Sequence, residues 1–390
     1  MIIEQLFFEL IQVSLGTRIC LTHTPTADEW GELYAMSKKQ SLVGICFSAV
    51  QKLTQNQEPI THNLDEVQYL TWMGMAAKIQ QKNEQMNVST KEALAFFRRR
   101  GFACQILKGQ GIAKLYGSLS VLRQSGDIDV WMSGGKEAAF ALSKKELGRV
   151  QGLTNYHIHF PIMEDAEIEL HFKPSFLSSP LRNKRFLEFC RLYEPTKDEK
   201  RIVSEDSINY KPSTINLQDT PSLAFNRIYI LLHCYRHLCG HGVGMRQLLD
   251  YYFVLLHSAN EVSGGSHDSE VSNQNYKAES MKWIEDLGMK RFAEATMWFM
   301  QYVFGLEDKY LLCEPAEKAG RFLLNEVMHS GNMGHGEDRF DGKISQSAIA
   351  RYWYNLKRDI RLIQICPHEA LWDPVFNVYQ FIWCKFQKTK

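Results

Sequence analysis

Apolar residues along this chain recur with two different periods, and the change of period separates helix-forming from strand-forming parts. Residues 1–100 have the helical spacing. Thr26 and Glu29 form a capping box, and Trp30 and Leu33 begin an apolar stripe directly after it. The pattern predicts one helix that begins at this box and two more helices, near Leu64–Asn87 and Thr90–Arg100.

The period shortens to two between residues 101 and 175, as expected for strands. Phe102–Leu107 has the composition of a buried strand, and Tyr156–Met163 and Ala166–Lys173 alternate in a way that predicts a β-hairpin. Helical spacing returns from about Ser222 to the end of the chain. We therefore predict an α+β fold, in which a small mixed sheet is flanked by N- and C-terminal helical regions.

The same pattern predicts three domains along the chain. They are an N-terminal helical region at 1–100, an α/β core at 101–175 and a C-terminal helical domain at 176–390. Two polar stretches interrupt the last of these. Residues 194–220 are predicted to be a connector, and residues 259–280, rich in Ser, Asn, Gly and Glu, are predicted to be a mobile loop.

The segment Gly126-Asp127-Ile128-Asp129 carries the strongest chemical signal. Side chains at i and i+2 of a strand share a face, so the carboxylates of Asp127 and Asp129 would project together. Two like charges that close repel each other unless a cation lies between them, and Mg²⁺ prefers oxygen ligands. The pair is a candidate Mg²⁺ site. On the pair alone, a turn at Asp127 and a solvated Asp129 remain an alternative.

A glycine-containing turn precedes this pair. Lys108-Gly109-Gln110-Gly111 follows the strand that ends at Leu107 and leads into a short predicted helix. Backbone N–H groups at such a turn suit phosphate, and the ammonium of Lys108 adds a compact positive charge. The alternative is that Lys108 is a surface residue at the end of a strand.

A third acid can join the first two from the predicted hairpin. On its second strand, Glu167, Glu169 and His171 share one face, and Ile168 and Leu170 share the other. A carboxylate from this strand would then lie across the sheet from the aspartates. Alternation alone does not choose between Glu167 and Glu169.

Together these motifs resemble the nucleotidyltransferase superfamily of the polymerase-β type, and in particular its bacterial branch of nucleotidyltransferase family proteins. Recurring features of that branch are L-K-G, a D-I-D strand preceded by an arginine, and E-L-H. They read here as Leu107-Lys108-Gly109, Arg123 to Asp129, and Glu169-Leu170-His171. Two further similar segments are Asp28-Glu29-Trp30 and Gly331-Asn332-Met333-Gly334.

The resemblance implies roles for individual residues. Asp127, Asp129 and Glu169 would be catalytic and would hold two Mg²⁺ ions, which selects Glu169 over Glu167. A nucleoside triphosphate such as ATP would be bound by Lys108, Gly109, Gly111, Arg123, Ser125 and Gly126. A surrounding pocket would include His171, His233, His237, Arg246 and Asp250.

A separate hypothesis concerns the histidines of the C-terminal region. His233, His237 and His241 are spaced by four residues, which would stack them on one helix face and could provide a Zn²⁺ site. Gly240 and Gly242 favour an end of the helix before His241, which would break this arrangement. A role in shaping the pocket is the competing interpretation.

The charge and composition of the chain limit the kinds of binding partner and the cellular location that we expect. The chain has 45 basic and 44 acidic residues, a net charge of +1, and thus lacks the basic excess of a DNA-binding protein. The nine cysteines form no C-x-x-C pair, the first residues lack the basic region of a secretory signal, and no uncharged apolar run approaches the roughly 20 residues that span a bilayer. We expect a cytoplasmic protein without a membrane partner.

Two classes of function follow. The first is a Mg²⁺-dependent nucleotidyltransferase that acts on a nucleoside triphosphate and an unknown acceptor, with a small molecule or a protein side chain favoured over tRNA. The second is a catalytically inactive nucleotide-binding or regulatory module of the same fold. The three acids favour the first, because repelling carboxylates have little structural use when no metal binds.

Overall fold

The structure, a computed structural model, describes residues 2–55, 63–196, 219–240, 242–263, 269–330 and 348–387. Within these residues, helices precede and follow a small four-stranded sheet, which confirms the predicted α+β class. None of the described helices is both long and apolar enough to cross a membrane.

The helices occupy most of the described chain. Those before the sheet are α1 (Ile2–Leu15), α2 (Ala27–Lys39), α3 (Val43–Gln55) and α4 (Glu66–Arg99). Between strands lie α5 (Gly109–Ala113), a 3₁₀ helix at Lys114–Leu122 and α6 (Gly135–Leu147). After the sheet come α7 (Pro180–Arg191), α8 (Leu223–Cys239), α9 (Met245–Ser263), α10 (Ser269–Asp286), α11 (Lys290–Phe304), α12 (Glu317–Ser330), α13 (Ala348–Leu362) and α14 (Pro367–Gln387).

The described residues fall into two units. Unit 1 takes its residues from Met1–Lys38, Leu42–Phe176 and Cys190–Asn226, and it contains the sheet. Unit 2 takes its residues from Lys39–Ser41, Leu177–Phe189 and Arg227–Lys390, and its described part is helical.

The predicted capping box begins α2. The backbone N–H of Thr26 donates to Oε2 of Glu29 at 2.8 Å, and the N–H of Glu29 donates to Oγ1 of Thr26 at 3.2 Å. Two N–H groups that the helix itself leaves unsatisfied are thereby paired. Trp30 and Leu33, the start of the predicted stripe, are buried.

Helix α4 is continuous, whereas the sequence predicts two helices in this region. The side chain of Asp65 caps its first turn by accepting from the N–H of Gln68 at 2.8 Å. Ser89 and Thr90 lie where the predicted helices meet, and their hydroxyls donate to C=O groups one turn back, at 3.2 and 2.6 Å. These bonds satisfy both hydroxyls inside the helix, so the polar residues do not interrupt it.

The sheet has the strand order β1-β2-β4-β3, with β1 at Cys104–Leu107, β2 at Ile128–Met132, β3 at His157–His159 and β4 at Ile168–His171. Strand β2 pairs in parallel with β4, and the other two pairings are antiparallel. The antiparallel pairing of β3 with β4 confirms the predicted hairpin.

One face of the sheet is apolar and forms the core of unit 1. Because side chains alternate along a strand, every second residue of the four strands points to the same side. On this side the strand residues pack against apolar side chains of α4 and α6. The buried members from the strands are Cys104, Ile106, Ile128, Val130, Met132, Ile158, Ile168 and Leu170, and those from the helices include Leu94, Phe97, Ala139 and Leu142.

The polar stretch at 259–280 differs from its prediction as a loop. Helix α9 continues to Ser263, and α10 begins at Ser269. Tyr276, Ser280 and Ile284, spaced by four residues, form a buried stripe on α10 that the polar composition of the segment concealed. Residues 264–268 lie outside the described part, as do residues 197–218 of the predicted connector and the segment Gly331–Gly334.

Unit 2 contains a buried network of charged side chains. Glu369 is 1% exposed and accepts hydrogen bonds from the N–H of Ser178, at 2.7 Å, and from the guanidinium of Arg236. Asp373 accepts from the hydroxyl of Ser178 at 3.1 Å and from Arg358 at 3.3 Å. In such a network, loss of one partner leaves the opposite charge buried and uncompensated.

Replacement of Glu369 by alanine should therefore lower the free energy of unfolding by roughly 3–5 kcal/mol. Urea denaturation followed by circular dichroism measures this change. The control is Glu317→Ala, because Glu317 pairs with Arg321 on the surface of α12 and both side chains are more than half exposed. The control should cost less than about 1 kcal/mol. Equal losses in the two variants would contradict a structural role for the buried network.

Candidate active site

The second face of the sheet carries polar side chains in two rows aligned by strand pairing, with Leu107 of β1 and Trp131 of β2 as apolar neighbours. We call it the polar face. In the first row Asp129 on β2 pairs with Glu169 on β4, and Glu169 pairs with His159 on β3. In the second row His171 on β4 pairs with His157 on β3. Paired residues project to the same side and residues two apart share a face, so all five side chains lie on one face.

Asp129 is at the centre of this face. It is 1% exposed, and its Oδ1 atom lies 2.9 Å from Nζ of Lys108 and 2.9 Å from Nε2 of His171. Its Oδ2 atom is buried, and no residue of the described chain donates a hydrogen bond to it. The alternative of a solvated Asp129 is therefore wrong. An unsatisfied carboxylate oxygen in the interior is costly, and it is the kind of atom that a cation binds.

The turn after β1 brings Lys108 to Asp129. Lys108 has φ 36° and ψ −148°, and Gly109 has φ 44°, so the chain reverses through conformations that favour glycine. A Cβ atom on Gly109 would lie 3.6 Å from the C=O of Asp127, and one on Gly111 would lie 2.8 Å from the C=O of Ile106. The turn is therefore packed directly beside the Asp127–Asp129 segment, and a side chain at Gly111 would not fit.

Glu169 joins the cluster from the neighbouring strand. Its Oε2 atom lies 3.3 Å from Nε2 of His171 and 3.3 Å from Nδ1 of His157. Burial disfavours its charge, but a hydrogen bond from His171 and the charge of Lys108 outweigh burial and lower the pKa of Glu169. The charge of Asp127 acts in the opposite direction on this pKa. Glu169 is therefore ionised at neutral pH, within the electrostatic reach of Asp127.

The two buried histidines of this face have opposite pKa shifts. Burial disfavours protonation of His171, but its hydrogen bonds to Asp129 and Glu169 prevail and raise its pKa to about 9. Burial and the adjacent charge of His171 lower the pKa of His157 to about 3. At neutral pH the face therefore holds one imidazolium, which helps to compensate the carboxylates, and one neutral imidazole.

The donor atoms of this cluster are close enough to share a metal ion. The ligand atoms of Asp129, Glu169 and His171 lie within 4.8 Å of one another, and the two carboxylates can bind a cation directly, whereas His171 would first have to lose its proton. Carboxylate oxygens suit Mg²⁺ or Mn²⁺, and the buried Oδ2 of Asp129 supplies an acceptor without a hydrogen bond from the described chain. The residues present therefore fit a divalent cation. Asp127, which directly precedes β2, is half-buried and is not among the three residues of this group.

The other residues predicted to bind nucleotide precede β2. Arg123 is 3% exposed, and its C=O accepts from Nδ2 of Asn83 at 2.7 Å. Ser125 is also buried, and its Oγ atom has no hydrogen-bond partner in the described residues. Gly126 is exposed. The predicted roles of these three residues stay predictions.

The predicted pocket residues other than His171 belong to unit 2. His233 and His237 lie on α8 with their ring centroids 4.3 Å apart, and Arg246 and Asp250 lie on α9. Helix α8 ends at Cys239, as the glycines after it predict, and His241 lies outside the described residues. Neither group of potential metal ligands found in the described chain includes these histidines. Their role stays a prediction from the sequence.

The sequence prediction missed two histidines of this face. His157 and His159 form a second group with Glu169 whose ligand atoms lie within 4.8 Å of one another. The signal was present, because a His-x-His pair in a strand shares a face for the same reason as an Asp-x-Asp pair. Glu167, by contrast, has a side chain that is 63% exposed and pairs with His159 at 3.0 Å.

The fold and the arrangement of acids on adjacent strands define an α+β protein with a carboxylate cluster on one face of its sheet. Residues 26–278 match the model of a family described as uncharacterised nucleotidyltransferase, and the chain belongs to this family. The matched region includes every residue that the sequence predicts to act in the site. Searches of curated proteins and of solved structures found no match.

The raised pKa of His171 predicts a specific pH dependence of stability. Its folded value of about 9 lies above its ordinary value of 6.5, so the imidazolium stabilises the fold fully below pH 6.5. This contribution is lost as the pH rises through 9. We expect the wild-type protein to lose up to about 3 kcal/mol of unfolding free energy across this window. Urea denaturation at several pH values in the presence of a chelator measures the loss.

The His171→Asn variant should show a much smaller loss over the same window. A suitable control is His23→Asn, because His23 is 42% exposed and lies 3.5 Å from Glu29 at the surface. This control should keep the full pH dependence. A His171→Asn variant with the same pH profile as wild type would mean that another group titrates.

Proposed function

We propose that this protein is a Mg²⁺-dependent nucleotidyltransferase that moves a nucleotidyl group from a nucleoside triphosphate to an acceptor. The observation that carries the proposal is the environment of Asp129. Its carboxylate is buried beside Glu169, with Lys108 and His171 on one oxygen and no hydrogen bond from the described chain on the other. Family membership supports the reaction class.

Asp127, Asp129 and Glu169 would hold two Mg²⁺ ions. When bound, such ions neutralise phosphate charge and stabilise the attacking and leaving oxygens of an in-line transfer. The protein's part is to hold the acids in place. Asp129 and Glu169 are register partners on two hydrogen-bonded strands, so their spacing is fixed by the backbone. The charge of Asp127 opposes that of Glu169, a repulsion that a cation would relieve.

Lys108 would exchange partners when a nucleotide binds. Its ammonium lies 2.9 Å from Asp129 and compensates that carboxylate. A divalent cation on Asp129 would supply this compensation, and the ammonium would then pair with the triphosphate. Helix α5 has only five residues, so its dipole adds little to phosphate binding. Gly109 has a positive φ and Gly111 packs against the C=O of Ile106, so both glycines shape the turn that carries Lys108.

For the acceptor we propose a chemical class and not a particular molecule. The balanced charge of the chain, +1 overall, favours a small molecule or a protein side chain over tRNA. ATP is the triphosphate with which we would begin. The chemistry of the acids serves any acceptor whose hydroxyl, phosphate or side-chain oxygen can attack the α-phosphate.

One observation favours the alternative, a catalytically inactive nucleotide-binding or regulatory module. Lys108 and His171 compensate the charge of Asp129 without any metal, so this buried acid does not need a cation to be stable in the protein by itself. The three carboxylates therefore do not by themselves require a catalytic role. Binding and transfer have to be measured separately.

Transfer is tested with ATP radiolabelled in the α-phosphate, with Mg²⁺ and with pools of small molecules or protein acceptors. A nucleotidyltransferase moves this label to the acceptor and does not move a label in the γ-phosphate. We expect Glu169→Gln to reduce transfer on the order of a hundred-fold, because Glu169 supports the attacking group. ATP affinity should change little, since Asp127 and Asp129 remain. Glu167→Gln is the matched control and should be nearly silent, because Glu167 lies two residues before Glu169 and its side chain is 63% exposed.

Isothermal titration with ATP, with and without Mg²⁺, separates the two functions. Mg²⁺-dependent binding without transfer by the wild-type protein would support the inactive module. Full ATP binding by an Asp127→Asn, Asp129→Asn double variant that keeps its circular dichroism spectrum would show that the nucleotide site lies elsewhere.

Lys108→Ala should weaken ATP binding more than adenosine binding, because only the phosphates lose a charged partner. For the loss of one charge-assisted contact we expect roughly a tenfold or larger change in Kd for ATP. Titration of the variant with ATP and with adenosine measures both. Lys136→Ala, on α6, is a control for loss of a lysine. Equal weakening of ATP and adenosine would rule out a phosphate contact.

A further inference from the structure

Strand β3 adds two imidazoles to the polar face, beyond the acids used above. His157 and His159 lie two residues apart on β3, and Glu169 is the register partner of His159 on β4. The ligand atoms of these three residues lie within 4.8 Å of one another. The ring centroids of the two histidines are 5.8 Å apart. Two imidazoles and a carboxylate thus converge at the side of Glu169 that faces β3.

His157 carries a buried ring nitrogen that no hydrogen bond within the described residues satisfies. The residue is 5% exposed, and its Nδ1 atom makes no hydrogen bond within the described chain. That atom nevertheless lies only 3.3 Å from Oε2 of Glu169. Two ligands at about 2.1 Å from a tetrahedral metal ion are separated by about 3.4 Å. The distance between the two atoms matches that of a pair of metal ligands, and no hydrogen bond joins them.

The ligand atoms of this group, two imidazole nitrogens and a carboxylate oxygen, favour a transition-metal ion. Imidazole nitrogen suits Zn²⁺ and other transition metals, whereas Mg²⁺ and Ca²⁺ prefer oxygen ligands alone. Two histidines and one glutamate are a known combination of Zn²⁺ ligands that leaves a further coordination position open. Glu167 lies 3.0 Å from Nδ1 of His159, where a carboxylate can orient the ring of a metal-binding histidine.

We propose that His157, His159 and Glu169 bind a transition-metal ion, with Zn²⁺ as the first candidate, next to the carboxylate group of Asp129. Glu169 is shared, because its Oε2 atom lies 3.3 Å from His157 on one side and 3.3 Å from His171 on the other. The β3 side of the polar face therefore has a different metal preference from the β2 side. The inference does not depend on nucleotidyl transfer, because this binding requires no nucleotide.

The test uses the full-length protein, freed of metal with a chelator, and Co²⁺ as a spectroscopic substitute for Zn²⁺. Four-coordinate Co²⁺ with nitrogen ligands absorbs visible light far more strongly than six-coordinate Co²⁺ with oxygen ligands. We expect a strong visible band on titration with Co²⁺, its loss on addition of Zn²⁺, and no loss with a large excess of Mg²⁺. A weak band, or one that Mg²⁺ removes as Zn²⁺ does, would overturn the proposal.

Variants assign the band to these residues. His157→Asn and His159→Asn should each weaken Co²⁺ binding at least tenfold, whereas His23→Asn, at an exposed histidine beside Glu29, should bind as wild type does. His159 is 42% exposed, so its variant should fold even if the buried His157 does not tolerate substitution. Wild-type Co²⁺ binding by His159→Asn would overturn the proposal.

Asp129→Asn separates this proposal from the nucleotidyltransferase proposal. It should retain the Co²⁺ band, because Asp129 is not a ligand in the β3 group, and should lose Mg²⁺-dependent ATP binding. A band that disappears with Asp129→Asn would place the metal on the β2 side and overturn the proposal of a separate imidazole site.

Discussion

The burial of one negative charge, on Asp129, is the constraint on which the polar face of the sheet depends. An uncompensated carboxylate in a protein interior costs several kcal/mol. Two cations offset that cost, and each requires a particular feature of the backbone. Lys108 reaches Asp129 because the chain leaves β1 through a left-handed turn. His171 reaches it because β2 and β4 run in parallel with Asp129 opposite Glu169. Charge compensation and topology are therefore coupled.

This coupling explains why both proposed functions fit the same residues. The pairs with Lys108 and His171 keep the fold stable in the absence of any ligand, as a regulatory module would require. The same pairs leave Oδ2 of Asp129 without a hydrogen bond from the described chain, as a metal site would require. What distinguishes an enzyme from a binding module here is whether the bound nucleotide is transferred, because a metal ion on Asp129 and a nucleotide beside Lys108 are common to both functions.

The sequence predicted the features that depend on local pattern, and missed those that depend on partners distant in the chain. The alternation of apolar and polar residues, together with the residues typical of turns, predicted the α+β class and the hairpin. The capping box at Thr26 formed as predicted. At α10 the polar composition predicted a loop, but buried residues spaced by four form one face of a helix. The Lys108–Asp129 pair was not predictable, because it needs β1 and β2 in register. His157 could have been predicted from the His-x-His spacing of β3, but only the register of β3 with β4 shows which residues it meets.

The register of β2 with β4 sets where this protein can tolerate changes in length. Strand β4 has four residues that alternate between the apolar core and the polar face. One residue inserted within it would turn Glu169 into the core and a core residue outward, so both the fold and the face would be lost. At Glu164 and Asp165, between β3 and β4, both residues are exposed and lie outside the paired strands. A peptide tag or a fluorescent reporter inserted there would leave the register of the paired strands unchanged.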